Sequence, residues 1–198
     1  LESALRCEIA LLLGLALLTA GCDKQSSAPE QAKANISANG NASTGAASGQ
    51  EAHAVDRSHA GENAPDASFT DPSGKSVTIA DFKGKPVLLN LWATWCAPCI
   101  AEMPTLDTLA GDLDGKVTVL TVSQDLGGDE QVAPFFTKHS FANLKPYLDP
   151  QLALSTAYGV NLLTTILYDA DGKEVWRESG GMDWASAPAR TLIAEAKS

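Results

Sequence analysis

Leu88–Pro104 reads LLNLWATWCAPCIAEMP, and this stretch decides the fold. Val87–Trp92 is apolar except for Asn90, the pattern of a strand buried on both faces. Thr94-Trp95-Cys96-Ala97-Pro98-Cys99 follows at once, and Ile100, Met103, Leu106, Leu109 and Leu113 then recur at helical spacing. The two cysteines therefore fall where a strand hands over to a helix. There the backbone N–H groups lack intrahelical partners and the helix dipole is positive, so a thiolate is stabilised, as a Cys-x-x-Cys redox pair requires. Cys96, at the mouth of the helix, is expected to be the exposed attacking sulfur. Cys99, one turn further in, is placed to reach back and resolve a mixed disulfide.

The activation has a limited kinetic effect. Lowering a thiol pKa from about 8.5 to about 7 raises the thiolate fraction roughly sixteen-fold at neutral pH, but a Brønsted slope of about 0.4–0.5 returns some four- to six-fold. Helix position thus sets the direction of electron flow more than its speed. Two other readings of the pair are weaker. A zinc site needs two further ligands, and residues 61–198 hold no other cysteine and only His139. A structural disulfide would close a loop of a few residues and gain little chain entropy.

Outward from the motif, Phe69–Ile79 reads as a hairpin around Asp71-Pro72-Ser73-Gly74, and Gly84-Lys85-Pro86 leads into the buried strand. Lys116–Gln124 is a second strand, Val132, Phe135 and Phe136 mark a helix face, and Leu152–Tyr158 is a further helix. Thr164–Tyr168 and Glu174–Arg177 form a strand pair around Asp169-Ala170-Asp171-Gly172, and Leu192, Ile193 and Ala196 mark a last amphipathic helix. The order βαβ, then α, ββ, α, gives an α/β domain on a central mixed sheet.

The segment LLNLWATWCAPCIAEMP is similar to the active-site segment of TlpA/ResA-like thioredoxin-fold thiol:disulfide oxidoreductases, and the resemblance runs from about Pro65 to the C-terminus. It implies a thioredoxin fold with an N-terminal β-hairpin extension and a central helix-strand insertion. It also implies an exported, membrane-tethered protein that exchanges thiols and disulfides; some members reduce the haem-attachment cysteines of apocytochrome c. Carried over to this chain, Cys96 is the nucleophile and Cys99 the resolving thiol of a redox-active disulfide. Glu102 matches the acidic residue one turn after the second cysteine, placed to accept or return the resolving proton. Asn90 stands where thioredoxin itself has a buried aspartate, which leaves Glu102 as the candidate for proton handling. Trp95, Pro98, Leu163 and Thr164 are the candidates for substrate docking. Without the resemblance, Glu102 also reads as a solvated helix charge and Trp95 as a packing residue, while Trp92 reads as core. No cofactor and no metal is implied.

The chain departs from the family at Asn161-Leu162-Leu163-Thr164-Thr165, where a cis-proline usually precedes the Thr-Thr pair. A cis peptide before any other residue costs about 2.5–4 kcal/mol. The loop is therefore expected to be trans and reshaped, with redox chemistry intact and turnover impaired.

Ile9–Ala20 (IALLLGLALLTA) has the length of a signal-peptide core and is too short to span a bilayer. It runs into Thr19-Ala20-Gly21-Cys22, similar to the lipobox of bacterial lipoproteins, so residues 1–21 are expected to be removed and Cys22 lipidated. Asp23 resembles the inner-membrane retention signal of enteric bacteria. Residues 22–60 have only Ile36 and Val55 as sizeable apolar side chains and read as a disordered tether, in which His53 and His59 receive no role. Residues 61–198 form the thioredoxin-like domain. The location expected is the periplasmic side of a bacterial envelope, lipid-anchored to the inner membrane.

With 14 Lys and Arg against 24 Asp and Glu, the net charge is −10, and residues 61–198 carry 10 − 18 = −8 of it. So acidic a surface repels phosphate backbones, which excludes nucleic acid as an expected partner. The partners implied are disulfide-bearing protein substrates and a membrane thiol-transfer protein that supplies electrons, because an oxidising compartment keeps dithiols oxidised. Two rivals remain. A dithiol copper or zinc chaperone would have to recruit His139, Met103 or Met182. A peroxidase would want Thr or Ser three residues before the attacking cysteine and Pro four before that, where this chain has Ala93 and Leu89.

Overall fold

The structure, a computed structural model, describes residues 54–196. The expected leader, Cys22 and the tether as far as His53 lie outside the described residues. In chain order the elements are β1 (Phe69–Thr70), β2 (Ser76–Val77), a 3-10 turn (Ile79–Phe82), β3 (Val87–Trp92) and α1 (Ala97–Asp112). They continue with β4 (Thr118–Ser123), α2 (Asp129–His139), β5 (Tyr147–Leu148), α3 (Ala153–Tyr158), β6 (Thr164–Tyr168), β7 (Glu174–Ser179) and α4 (Ala187–Ile193). The strands form one mixed sheet in the order β2-β1-β5-β4-β3-β6-β7. This is the expected thioredoxin-like α/β fold, with the N-terminal hairpin and the inserted β5 adding strands beyond β4.

β3 lies between parallel β4 and antiparallel β6, and all its residues are buried. Its alternation divides the core. Leu88 and Trp92 pack with Met103, Leu106 and Leu109 of α1 and with Trp176, Trp184 and Ile193. Val87, Leu89 and Leu91 pack on the other face with Phe69, Ile79, Leu120, Leu154 and Ile166. Asn90 lies on the α1 face by the same alternation, a polar group in the middle of the sheet. Among the described residues no helix is long and apolar enough to cross a membrane.

The ordered fold begins ahead of residue 61. Asp56 pairs with Arg177 through two backbone hydrogen bonds of 2.8 and 2.9 Å, and Asn63 pairs with Lys173. Gly61 N–H donates to Glu174 O at 2.8 Å, and Val55 packs against the core. The Arg57 guanidinium meets Glu195 at 2.8 Å, and His59 Nδ1 lies 3.1 Å from Glu62. Residues 56–60 thus belong to the domain. β7 is the outer strand of the sheet, and its open edge offers backbone groups to any chain whatever its side chains, so composition carries no trace of the pairing. Beneath this strap, Arg177 makes two 2.7 Å bonds to the Glu174 carboxylate, and the pair is buried.

Candidate active site

The loop from β3 to α1 is held before the cysteines arrive. Asp125 accepts from Thr94 N–H at 2.8 Å and from the Thr94 hydroxyl at 2.7 Å, and Ser123 donates to the same carboxylate at 2.7 Å. Gln124 N–H donates to Trp92 O at 2.8 Å, so the ends of β3 and β4 clamp Ala93-Thr94-Trp95 from below. Cys96 is then the N-cap of α1: its sulfur accepts from Cys99 N–H at 3.4 Å, and Pro98 sits in the first turn, where its missing N–H costs nothing. Cys96 and Cys99 form a disulfide with a Cα–Cα distance of 5.3 Å.

Cys96 is less open than expected. It is 8% exposed and Cys99 0%, and both belong to the apolar core. Trp95, by contrast, is 67% exposed and lines a groove of about 420 Å3 with Leu126, Leu152, Val160, Asn161 and Leu162. Nothing in the sequence pattern singles out Leu126, the other large apolar side chain exposed there.

Glu102 is not a solvated helix charge. It is 5% exposed, one turn beyond Cys99, and three donors converge on it: Asn90 Nδ2 at 2.8 Å, Trp184 Nε1 at 3.0 Å and Met182 N–H at 3.2 Å. Asn90 Oδ1 is buried and has no hydrogen-bond partner among the described residues. Burial pushes the Glu102 carboxyl above its ordinary pKa of 4.5; the three donors pull the other way, and the nearby Glu178 charge adds to the rise. Pro98, Ala101, Thr105, Met182 and Asp183 border an open depression at Glu102, through which protons can exchange with water.

Leu163 has φ +62°, a left-handed backbone that a branched side chain adopts under strain and that a proline ring forbids. Its N–H donates to Leu91 O at 3.1 Å, and its carbonyl accepts from Gly180 N–H at 2.9 Å. Thr164 is buried, and its hydroxyl donates to Asn161 O at 2.8 Å. The structure thus brings Trp95, Cys96, Pro98, Cys99 and Glu102 to one end of the sheet, while the Thr164 side chain is turned inward. Asp125, Trp184 and Met182 in its clamping role escaped the sequence reading. Their partners lie 31 to 82 residues away, beyond the reach of any local pattern.

A family model described as Redoxin matches residues 59–193. The chain belongs to the Redoxin family. Thiol-disulfide oxidoreductase ResA of Bacillus thuringiensis subsp. konkukian is 35% identical over 121 residues, 61% of this chain and 69% of that protein. The thioredoxin domain of a thiol-disulfide oxidoreductase from Bacteroides vulgatus superposes with a TM-score of 0.55 at 28% identity, covering 67% of this chain and 97% of that one. The exposed lipoprotein thioredoxin Etrx1 of Streptococcus pneumoniae gives 0.55 at 30% identity, over 64% and 97%. This Redoxin-family chain is a thiol-disulfide oxidoreductase of the ResA type, with Cys96–Cys99 as its Cys-x-x-Cys disulfide.

The raised proton affinity of Glu102 has a consequence for stability. Between pH 4.5 and the folded value, the native chain binds the proton more tightly than the unfolded chain. This contribution is complete below the unfolded value and is lost as pH rises through the folded one. Glu102→Gln is expected to flatten that decline, as read from urea midpoints over about pH 4 to about pH 8. Parallel curves for variant and wild type would contradict the raised affinity.

Proposed function

We propose that this oxidoreductase works as a reductase of protein disulfides, tethered by lipid at Cys22 to the periplasmic side of a bacterial inner membrane. The observation that carries the direction is Glu102, a carboxyl buried one turn from the resolving cysteine. The Cys96 thiolate attacks a substrate disulfide, forming one S–S bond as the other substrate sulfur leaves as a thiolate. Cys99 then gives its proton to Glu102 and attacks Cys96, the second substrate sulfur leaves, and two electrons have passed to the substrate. The proton on Glu102 returns to a leaving thiolate or to water through the depression beside Met182. A membrane thiol-transfer protein restores the dithiol. Haem-attachment cysteines of an apocytochrome c are one substrate class that fits.

The groove beside Trp95 supports docking of an apolar segment next to the substrate cysteine, with Trp95 and Leu162 as contact surfaces and Pro98 on the rim of the site. Leu163 weakens that docking, because both its backbone polar groups are already engaged, to Leu91 and Gly180, and neither is free for a substrate backbone. A dithiol metal chaperone is the second reading; among the described residues no three His, Cys, Asp or Glu side chains are grouped to hold a metal ion.

Trapping tests the reading. Cys99→Ala is expected to accumulate mixed disulfides between Cys96 and exported proteins, visible on non-reducing gels and absent from the Cys96→Ala variant. No trapped protein would sink thiol exchange as the function. Leu163→Pro removes the N–H to Leu91 and the left-handed backbone. It is expected to raise disulfide-reductase turnover and shorten the mixed-disulfide lifetime, and unchanged values for both would show that Leu163 does not limit docking.

A further inference from the structure

Thr165 stands between Asn90 and Glu178 in the sheet: Asn90 of β3 pairs with Thr165 of β6, and Thr165 pairs with Glu178 of β7. Residues directly opposite on neighbouring strands share a face. That face is the one on which Asn90 meets Glu102, and the same Asn90 amide nitrogen also donates to Thr165 Oγ1 at 3.0 Å. Glu178 is 8% exposed, and its Oε1 lies against Gly180, 3.9 Å from where a side chain there would begin. Gly180 opens the loop that delivers Met182 and Trp184 to Glu102. Two carboxyl groups therefore occupy one buried polar layer under the cysteines. A β-branched or apolar residue would pack at this strand position without the desolvation cost, so packing does not explain an acid there.

We propose that Glu178 is a positioning residue for the proton step: its charge, on the same buried face as Glu102, strengthens Glu102 as the base that takes the proton of Cys99. The inference rests on the assignment of Glu102 made above. In that step the Cys99 S–H bond breaks and the proton passes to a Glu102 oxygen. The freed sulfur pair forms the bond to Cys96 Sγ, and the Cys96–substrate bond breaks with its electrons leaving on the substrate sulfur. An ordinary thiol holds its proton about four pH units more tightly than an ordinary carboxylate, so the transfer is uphill, and a like charge beside the base narrows the gap. Among the described residues, Glu178 from β7 is the group whose charge acts on Glu102, Asp183 borders the mouth of the depression, and Cys96 and Cys99 at the start of its own helix are joined as a disulfide that does not titrate. Its donors Asn90, Met182 and Trp184 carry no titrating charge, and the Glu178 charge acts on Glu102 in the required direction.

The Trp184 indole N–H donates to Glu102 and reports its ionisation. Its proton NMR shift, followed against pH in the oxidised protein, is expected to titrate in the wild type and to lose that titration in Glu102→Gln. In Glu178→Gln the midpoint is expected about half a pH unit lower, roughly threefold weaker proton binding. Glu178→Asp returns the charge and is expected to move the midpoint back toward the wild type; failure to do so would contradict charge as the cause. The acid limb of mixed-disulfide resolution should shift in the same order. A Glu178→Gln midpoint and acid limb equal to the wild type would overturn the role of Glu178 and leave that of Glu102 standing. A resolution rate indifferent to Glu102→Gln would overturn both.

Discussion

A carboxyl group buried one turn from a disulfide is the constraint around which this end of the molecule is arranged. Removing it from water costs several kcal/mol unless donors replace the lost hydration. The donors come from two segments far apart in the chain: Asn90 from the centre of β3, and Met182 and Trp184 from the loop after β7. Each is fixed by something else. Asn90 is locked in the sheet between Leu89 and Leu91, and Trp184 fills the core beside Met103 and Ile193. The Trp184 backbone N–H donates to Thr105 Oγ1 at 3.2 Å, which ties the loop to α1 a second time. Sheet, helix and loop therefore meet at Glu102, while the Asp125 carboxylate holds the loop that carries Cys96.

Two opposing electrostatic influences act on the thiols. The start of α1 favours a thiolate at Cys96, which makes the disulfide easier to reduce and the protein more oxidising. The buried acid beyond Cys99 disfavours a second negative charge nearby, which keeps the dithiol a better donor of electrons. The raised proton affinity of Glu102 couples the balance to pH, because the acid repels a thiolate only when ionised. Direction of electron flow then depends on the balance between the helix start at Cys96 and the buried acid beyond Cys99.

Much of this was legible in the sequence, for identifiable reasons. β3 matches the expected Val87–Trp92 in full, and α1 follows from the spacing of Met103, Leu106 and Leu109, because burial on a strand or helix imprints a period on neighbouring residues. Cys96, Cys99 and Glu102 follow one another at three-residue intervals, so their grouping was visible. The strap at residues 56–63 was not, because backbone pairing to an edge strand leaves no mark on polar side chains. The burial of Glu102 was not either, since it depends on Trp184, 82 residues away. Leu163 was legible as a departure, yet its left-handed backbone and its two internal hydrogen bonds emerge only from the neighbouring strands.

The reduction potential of the Cys96–Cys99 pair tests the account most directly. Titration of the purified protein against glutathione or dithiothreitol buffers is expected to give a midpoint below about −200 mV, toward the roughly −270 mV of thioredoxin. A midpoint near about −120 mV, the range of strong protein oxidants, would contradict the reductase account and the part assigned to the buried carboxyl.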